Sequence, residues 1–100
     1  MIKIAQVDLS KKLKRKRREI DLIDQKLLSL LNQRLRIALE IGKVKREMDR
    51  KIYDPLREKK ILKRLVLRNK GPLKTKDLEK IFRTTLGVCR KSQNRIKSDR

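Results

Sequence analysis

The chain has 100 residues, a formal net charge of +20, 44% charged side chains and 37% hydrophobic ones. With no histidine, a single cysteine (Cys89) and two aromatics (Tyr53 and Phe82), it excludes His triads, His general bases, His metal ligands and an intrachain disulfide framework. The length suggests one domain, residues 1–100, and the low apolar content disfavours a self-sufficient core and favours oligomerisation.

No apolar run approaches the ~20 residues of a membrane span, and the N-terminus has no signal-peptide core. With the lone cysteine suiting a reducing compartment, the expected location is cytoplasmic. The positive charge implies an anionic partner: nucleic acid, an acidic membrane surface or a small polyanion.

Residues 1–9 read as a short leader, with Asp8 or Ser10 capping the first helix. Lys11 to Arg18 then holds seven cations in eight residues. Such a run suits a nucleic-acid or localisation patch, or simply a solvated helix start.

From about residue 10 to 48 the chain reads as one long helix. Alternate steps of three and four give Ile20, Ile23, Leu27, Leu30, Arg34, Ile37, Ile41, Val44 and Met48, a heptad seam broken only by Arg34. A second stripe, Leu28, Leu31, Leu35, Ala38, Gly42 and Lys45, also begins apolar and ends on a charge. Some 38 helical residues extend roughly 57 Å at ~1.5 Å per residue. A compact domain of this size has a radius of gyration of only ~13 Å. The rest of the chain is too short to cover such a rod, so an obligate homodimer is expected. A charge within an apolar seam costs several kcal/mol unless compensated, so Arg34 must meet a carboxylate of the protein or of a ligand.

Helix one is expected to end near Met48-Asp49-Arg50. Asp54-Pro55 then starts a second helix, Asp54 as N-cap and Pro55 at the first helical position. That helix runs to about residue 69, with Arg57 and Glu58 at the N-terminal end of its buried face. Asn69-Lys70-Gly71-Pro72 is a stop and turn. Thr75 can cap helix three, which runs to about residue 97 with a seam of Leu78, Phe82, Thr85, Cys89, Ser92 and Ile96. Cys89 and Gln93, four apart, share a face, and Lys97–Arg100 reads as a frayed tail. The class is all-α, three helices per chain.

Each helix thus carries polar groups where its stripe predicts core. Each has a structural reading: Arg34 in a buried ion pair, for instance with Glu58; Lys45 extending past the stripe's end; Glu58 at a helix dipole; Cys89 as a small hydrophobe; Gln93 as ordinary surface. Together they describe a pocket of cations, one anion and one amide, suited to a small dicarboxylate that also bears a hydroxyl.

The run from Arg17-Arg18-Glu19-Ile20-Asp21 to Asn32-Gln33-Arg34, followed by Ala38-Leu39-Glu40-Ile41-Gly42-Lys43-Val44-Lys45, resembles the opening of the all-helical chorismate mutases. Tyr53-Asp54-Pro55-Leu56-Arg57-Glu58 resembles their second motif and Phe82 to Gln93 their third. The resemblance spans about residues 13–97. It implies an intertwined homodimeric helical bundle that converts chorismate to prephenate without a cofactor or metal. By this resemblance Arg34 and Arg17, the latter from the partner subunit, grip substrate carboxylates. Lys45 and Gln93 donate to the ether oxygen, Glu58 accepts from the ring hydroxyl with Asp54 near it, and Arg57 lines the site. Cys89 stands where many members have Ser, and a thiol is the weaker donor.

Two other readings compete. A basic helical nucleic-acid-binding dimer explains the charge but not the cations interrupting apolar stripes, and it lacks aromatics for stacking. An isochorismate-pyruvate lyase on the same scaffold also binds a cyclic dicarboxylate. Related domains are often fused to prephenate dehydratase. This chain, ending at Arg100, reads as monofunctional or as a domain from such a fusion.

Overall fold

The computed structural model describes the backbone of residues 2–98 and the side chains of residues 5–95. Three helices follow in order: α1 (Ile2–Glu47), α2 (Pro55–Arg68) and α3 (Thr75–Ser98). The chain divides into two compact units, the boundary falling between Arg34 and Leu35 within α1.

The expected leader is instead helical. α1 begins at Ile2 and contains 46 residues, so Asp8 and Ser10 lie inside it rather than capping it. Nothing breaks the helix there: Ala5, Gln6 and Leu9 are good helix formers, and no Gly or Pro intervenes. Its last turn carries Lys45 and Arg46, favourable at the negative end of the dipole. The end falls where the sequence places it. Asp49 takes the left-handed conformation (φ 55°). The Asp49 N–H donates to the Arg46 carbonyl at 3.0 Å and the Arg50 N–H to the Lys45 carbonyl at 2.7 Å. That double closure is a Schellman end with Asp in the position usually held by Gly.

In the second unit, α2 starts as its sequence dictates. The Asp54 carboxylate accepts from the Arg57 N–H at 3.0 Å, with Pro55 in the first turn. Asn69 closes α2, its N–H donating to the Val66 carbonyl. The Asn69 side chain then organises the turn, its amide donating to the Leu73 carbonyl (2.6 Å) and its oxygen accepting from the Gly71 N–H (3.0 Å). Gly71 has φ +77°, a conformation that suits glycine. α3 opens on Thr75 itself rather than after it, a one-residue difference at a helix end. It continues through Ser98; Asp99 and Arg100 of the expected tail, and the Ile96 side chain, lie outside what is described.

α2 packs on α3. The buried apolar side chains among the described residues are Ala38, Ile52, Leu62, Leu78, Leu86 and Cys89, all in the second unit. The seam of α1, counted through Met48 just past its end, is different: its eight apolar members each remain between 47% and 61% exposed. Leu56, in the first turn of α2, is 71% exposed.

Replacing the α2 cap tests how far this short helix depends on it. Asp54→Ala should cost about 1 kcal/mol, and Asp54→Asn, which keeps an acceptor, much less. Urea unfolding of the three proteins measures both.

Candidate active site

The polar groups that interrupt the apolar stripes fall into three local arrangements in the second unit. The first joins α3 to α1. The Gln93 amide donates from Nε2 to the Ala38 carbonyl at 2.6 Å. This close approach depends on Gly42, one turn along α1 from Ala38. A Cβ on Gly42 would stand 3.1 Å from Gln93 Cγ and 3.4 Å from Gln93 Cβ. Gly42 is buried and Gln93 half-buried, so Gln93 is part of a helix contact rather than ordinary surface.

The second arrangement joins the end of α1 to the connector. Half-buried Lys45 donates from Nζ to the Ile52 carbonyl at 2.9 Å. Ile52 is itself buried, and so anchors that carbonyl.

The third joins α2, α3 and the connector. Glu58 accepts on both oxygens from Arg90: Nε to Oε2 at 3.1 Å and Nη2 to Oε1 at 3.2 Å. The Arg90 guanidinium lies 4.6 Å from the centre of the Tyr53 ring. The Glu58 hydrogen bond is the main cause raising the Arg90 pKa above its ordinary value. Burial opposes the rise, and Coulombic attraction to Glu58 and Tyr53 adds to it. A cavity of about 230 Å³ opens beside the pair, lined in part by Tyr53, Pro55, Glu58, Leu86 and Arg90.

Asp54 caps α2. Arg57 is exposed although the sequence places it on the buried face of α2, whereas Glu58 beside it is half-buried. Cys89 is a buried thiol on α3. In the first unit Arg17 is exposed and Arg34 half-buried. The Lys11–Arg18 run is exposed throughout, and its Lys16 pairs with Glu19 at 3.0 Å across a solvated face. Such exposed pairs contribute little stability.

Sequence reasoning missed Arg90, Tyr53 and the Ile52 carbonyl. Arg90 carried a usable signal. It follows Phe82 and Leu86 at steps of four, a cation interrupting an apolar stripe as Arg34 does. A backbone carbonyl in a connector has no such signature.

What the three arrangements offer chemically is directional. A lysine ammonium has three N–H donors and a glutamine amide two. With one of each directed at a backbone carbonyl, Lys45 keeps two and Gln93 one for a ligand atom. The Glu58 carboxylate keeps acceptor capacity beyond its two bonds to Arg90. Among the described residues no three of His, Cys, Asp and Glu cluster as metal ligands, and no helix is long and apolar enough to cross a membrane.

Comparison with known proteins places these residues in a wider set. Residues 16–94 match the family model described as chorismate mutase type II. A bifunctional chorismate mutase/prephenate dehydratase of Aquifex aeolicus (strain VF5) is 35% identical over 89 residues, covering 85% of this chain and 25% of the relative. One from Neisseria gonorrhoeae is 38% identical over 73 residues, covering 73% of this chain and 20% of the relative. The chain thus spans about a quarter, or less, of these relatives' length. Among solved structures, chorismate mutase (form II) of Thermus thermophilus aligns with a TM-score of 0.83 at 30% identity, covering 84% of this chain and 96% of that one. Chorismate mutase of Helicobacter pylori in complex with prephenate aligns at 0.81 and 38% identity, covering 88% and 96%.

The Gly42 contact makes a measurable claim. Gly42→Ala gains helix propensity of up to ~1 kcal/mol but forces Gln93 aside. The variant should stay within about 1 kcal/mol of the parent's stability while the Gln93 side-chain amide loses its protection from hydrogen exchange. Protection unchanged by the extra methyl would mean that Gly42 does not set this contact.

Proposed function

The chain belongs to the chorismate mutase type II family, and from that premise we propose that it converts chorismate to prephenate in the cytoplasm, within aromatic amino acid biosynthesis. The observation that carries this reading is the pair of half-buried donors, Lys45 and Gln93, each oriented by a backbone carbonyl and each retaining N–H groups for a ligand. The prephenate held by the Helicobacter pylori neighbour supports the substrate class.

The reaction is a Claisen rearrangement. The C–O bond of the enolpyruvyl ether breaks as a C–C bond forms to the ring, within one cyclic array of electrons. No proton moves in that step, so it needs no general base, nucleophile or cofactor. The protein contributes in two ways. It holds the flexible substrate in the folded conformer from which the two carbons meet, and it stabilises the negative charge that grows on the ether oxygen as the bond breaks. Lys45 and Gln93 are assigned the second task. Arg34 and Arg17 of the partner subunit grip the two carboxylates. Glu58 accepts from the ring hydroxyl. Arg57 and Asp54 take lesser places by resemblance, and Cys89 is a weaker donor than the usual Ser. The same Glu58 and Gln93 pattern favours the mutase over the lyase.

The homodimer is part of the proposal. Eight seam residues, each about half exposed, form a heptad surface that a second copy can cover. Covering the exposed part of each side chain is worth on the order of 1 kcal/mol. Supply of Arg17 in trans follows from helix geometry. A 17-residue offset turns Arg17 about 100° away from Arg34 at ~100° per residue, so one helix does not aim both at one pocket.

The direct test is ultraviolet loss of chorismate with the purified protein, with isochorismate as the control; loss of isochorismate alone would replace the mutase with the lyase. Arg17→Ala and Arg34→Ala proteins should each be nearly inactive. Mixed and allowed to exchange subunits, they should regain activity at one of the two sites. Persistent inactivity after verified exchange would place Arg17 and its substrate contact in the same chain.

The role of Gln93 predicts a pH profile. An amide donates at any ordinary pH, whereas a glutamate in its place donates only when protonated, with an ordinary pKa of about 4.3. Gln93→Glu should therefore work in mild acid and lose kcat toward neutrality by about 10²–10³-fold, while the parent stays comparatively flat. Parallel profiles would remove Gln93 from the reacting oxygen.

A further inference from the structure

Arg90 has no role in the reading above, yet it meets both Glu58 oxygens and the Tyr53 ring. It lies on α3, Glu58 lies in the first turn of α2, and Tyr53 lies in the connector before α2. The guanidinium meets the carboxylate fork to fork, at 3.1 and 3.2 Å. Paired N–H···O bonds of this kind fix the plane of the carboxylate as well as its position. The Tyr53 ring, 4.6 Å away, holds the guanidinium from another side. Both partners are shielded, with side-chain exposures of 31% and 23%. The pairs Lys16–Glu19 and Arg83–Glu79 leave their cations more than 60% exposed. A glutamate left alone keeps several rotamers, and ordering it costs on the order of 1.5 kcal/mol. Here the protein has already ordered it, with the 230 Å³ cavity open beside it.

We propose that Arg90, braced by Tyr53, is a positioning residue: it holds the Glu58 carboxylate in the orientation that accepts the substrate's ring hydroxyl. This assignment rests on the mutase reading. It assigns Arg90 no contact with the substrate. One acceptor site on each Glu58 oxygen is taken by Arg90, and the remaining sites serve the ligand. An arginine stays protonated throughout the ordinary pH range, so the donor side of the clamp does not switch. A lysine cannot replace it, since a point charge holds the carboxylate without fixing its plane.

The experiment is a double-mutant cycle on the full chain: parent, Arg90→Leu, Glu58→Ala and the double variant. kcat and KM for chorismate are measured beside circular-dichroism melting, and Arg90→Lys serves as the conservative replacement. Arg90→Leu should lower kcat/KM by about 10²-fold, the usual scale for a misplaced group. In the Glu58→Ala background the same change should cost less than about threefold, because Arg90 acts through Glu58. Arg90→Lys should recover only part of the loss. If Arg90→Leu melts before assay temperature, Arg90→Lys carries the test: a several-fold lower kcat/KM with unchanged melting supports the clamp, and parent-like kinetics overturn it. Three other results overturn it. Indifference to Arg90→Leu removes the role. A gain in kcat/KM makes Arg90 a competitor for Glu58. Losses that add fully in the double variant make Arg90 act independently of Glu58. A parent without chorismate turnover fails the mutase reading itself, whereas an active parent indifferent to Arg90 fails this assignment alone.

Discussion

The second unit depends on one close approach, that of Gln93 to the Ala38 carbonyl across Gly42. A helix carbonyl has two lone pairs, and the helix itself uses one. A side chain from a neighbouring helix reaches the other only where the intervening residues are small. Ala38 and Gly42 supply that gap. Once Gln93 is seated there, the face of α3 in the two preceding turns is set: Cys89 and Leu86 are buried, and Arg90 is directed at Glu58. α2 is thereby tied to α3 by charge as well as by Leu62, and the connector is tied back to α1 by Lys45. With six apolar side chains buried among the described residues, these polar ties carry positional information that a larger apolar core would otherwise supply.

The net charge of the chain is +20, and among the described residues Lys45 and Arg90 are cations held in specific contacts. Most cations are solvated, and pairs such as Arg83–Glu79 at 3.5 Å belong to the class of surface contacts with little energetic weight. Lys45 and Arg90 differ because each meets its partner at a shielded position, and each partner is itself held. Ile52 is held by burial and Glu58 by the start of α2. Charge in this protein becomes informative where it is partly desolvated, since attraction and orientation both strengthen as water is removed.

The proposed chemistry asks for that kind of order. A pericyclic rearrangement gains little from a reactive side chain and much from donors that are already aimed, because reorienting dipoles during the reaction is the cost that preorganisation removes. Backbone carbonyls are well suited to aim such donors. They do not titrate, and they move only with the helix or connector that carries them. In the proposed dimer, the exposed α1 seam is the complementary feature, a regularly spaced apolar stripe for a second copy of the same helix.

The three helices were legible in the sequence because their causes are local. Heptad spacing marks α1, Asp54-Pro55 opens α2, and Asn69 to Pro72 closes it. The start of α1 differs for a local reason too: Asp8 and Ser10 have cap chemistry, but nothing before them breaks the helix, and helix propensity carries α1 back to Ile2. Of the candidate site, sequence alone marked Lys45, Glu58 and Gln93 as polar groups on apolar stripes, and the structure finds all three half-buried in specific contacts. It also set Arg57 on the buried face, where the structure leaves it exposed, because one step along a helix is a turn of about 100°. What the sequence did not contain was which group meets which. The pairing of Glu58 with Arg90, the Ile52 carbonyl beneath Lys45 and the Gly42 gap beneath Gln93 join residues 7 to 55 positions apart. Such pairings depend on how closely and in what register helices cross. Periodicity within one helix carries no record of its register against another, so only the tertiary structure decided them.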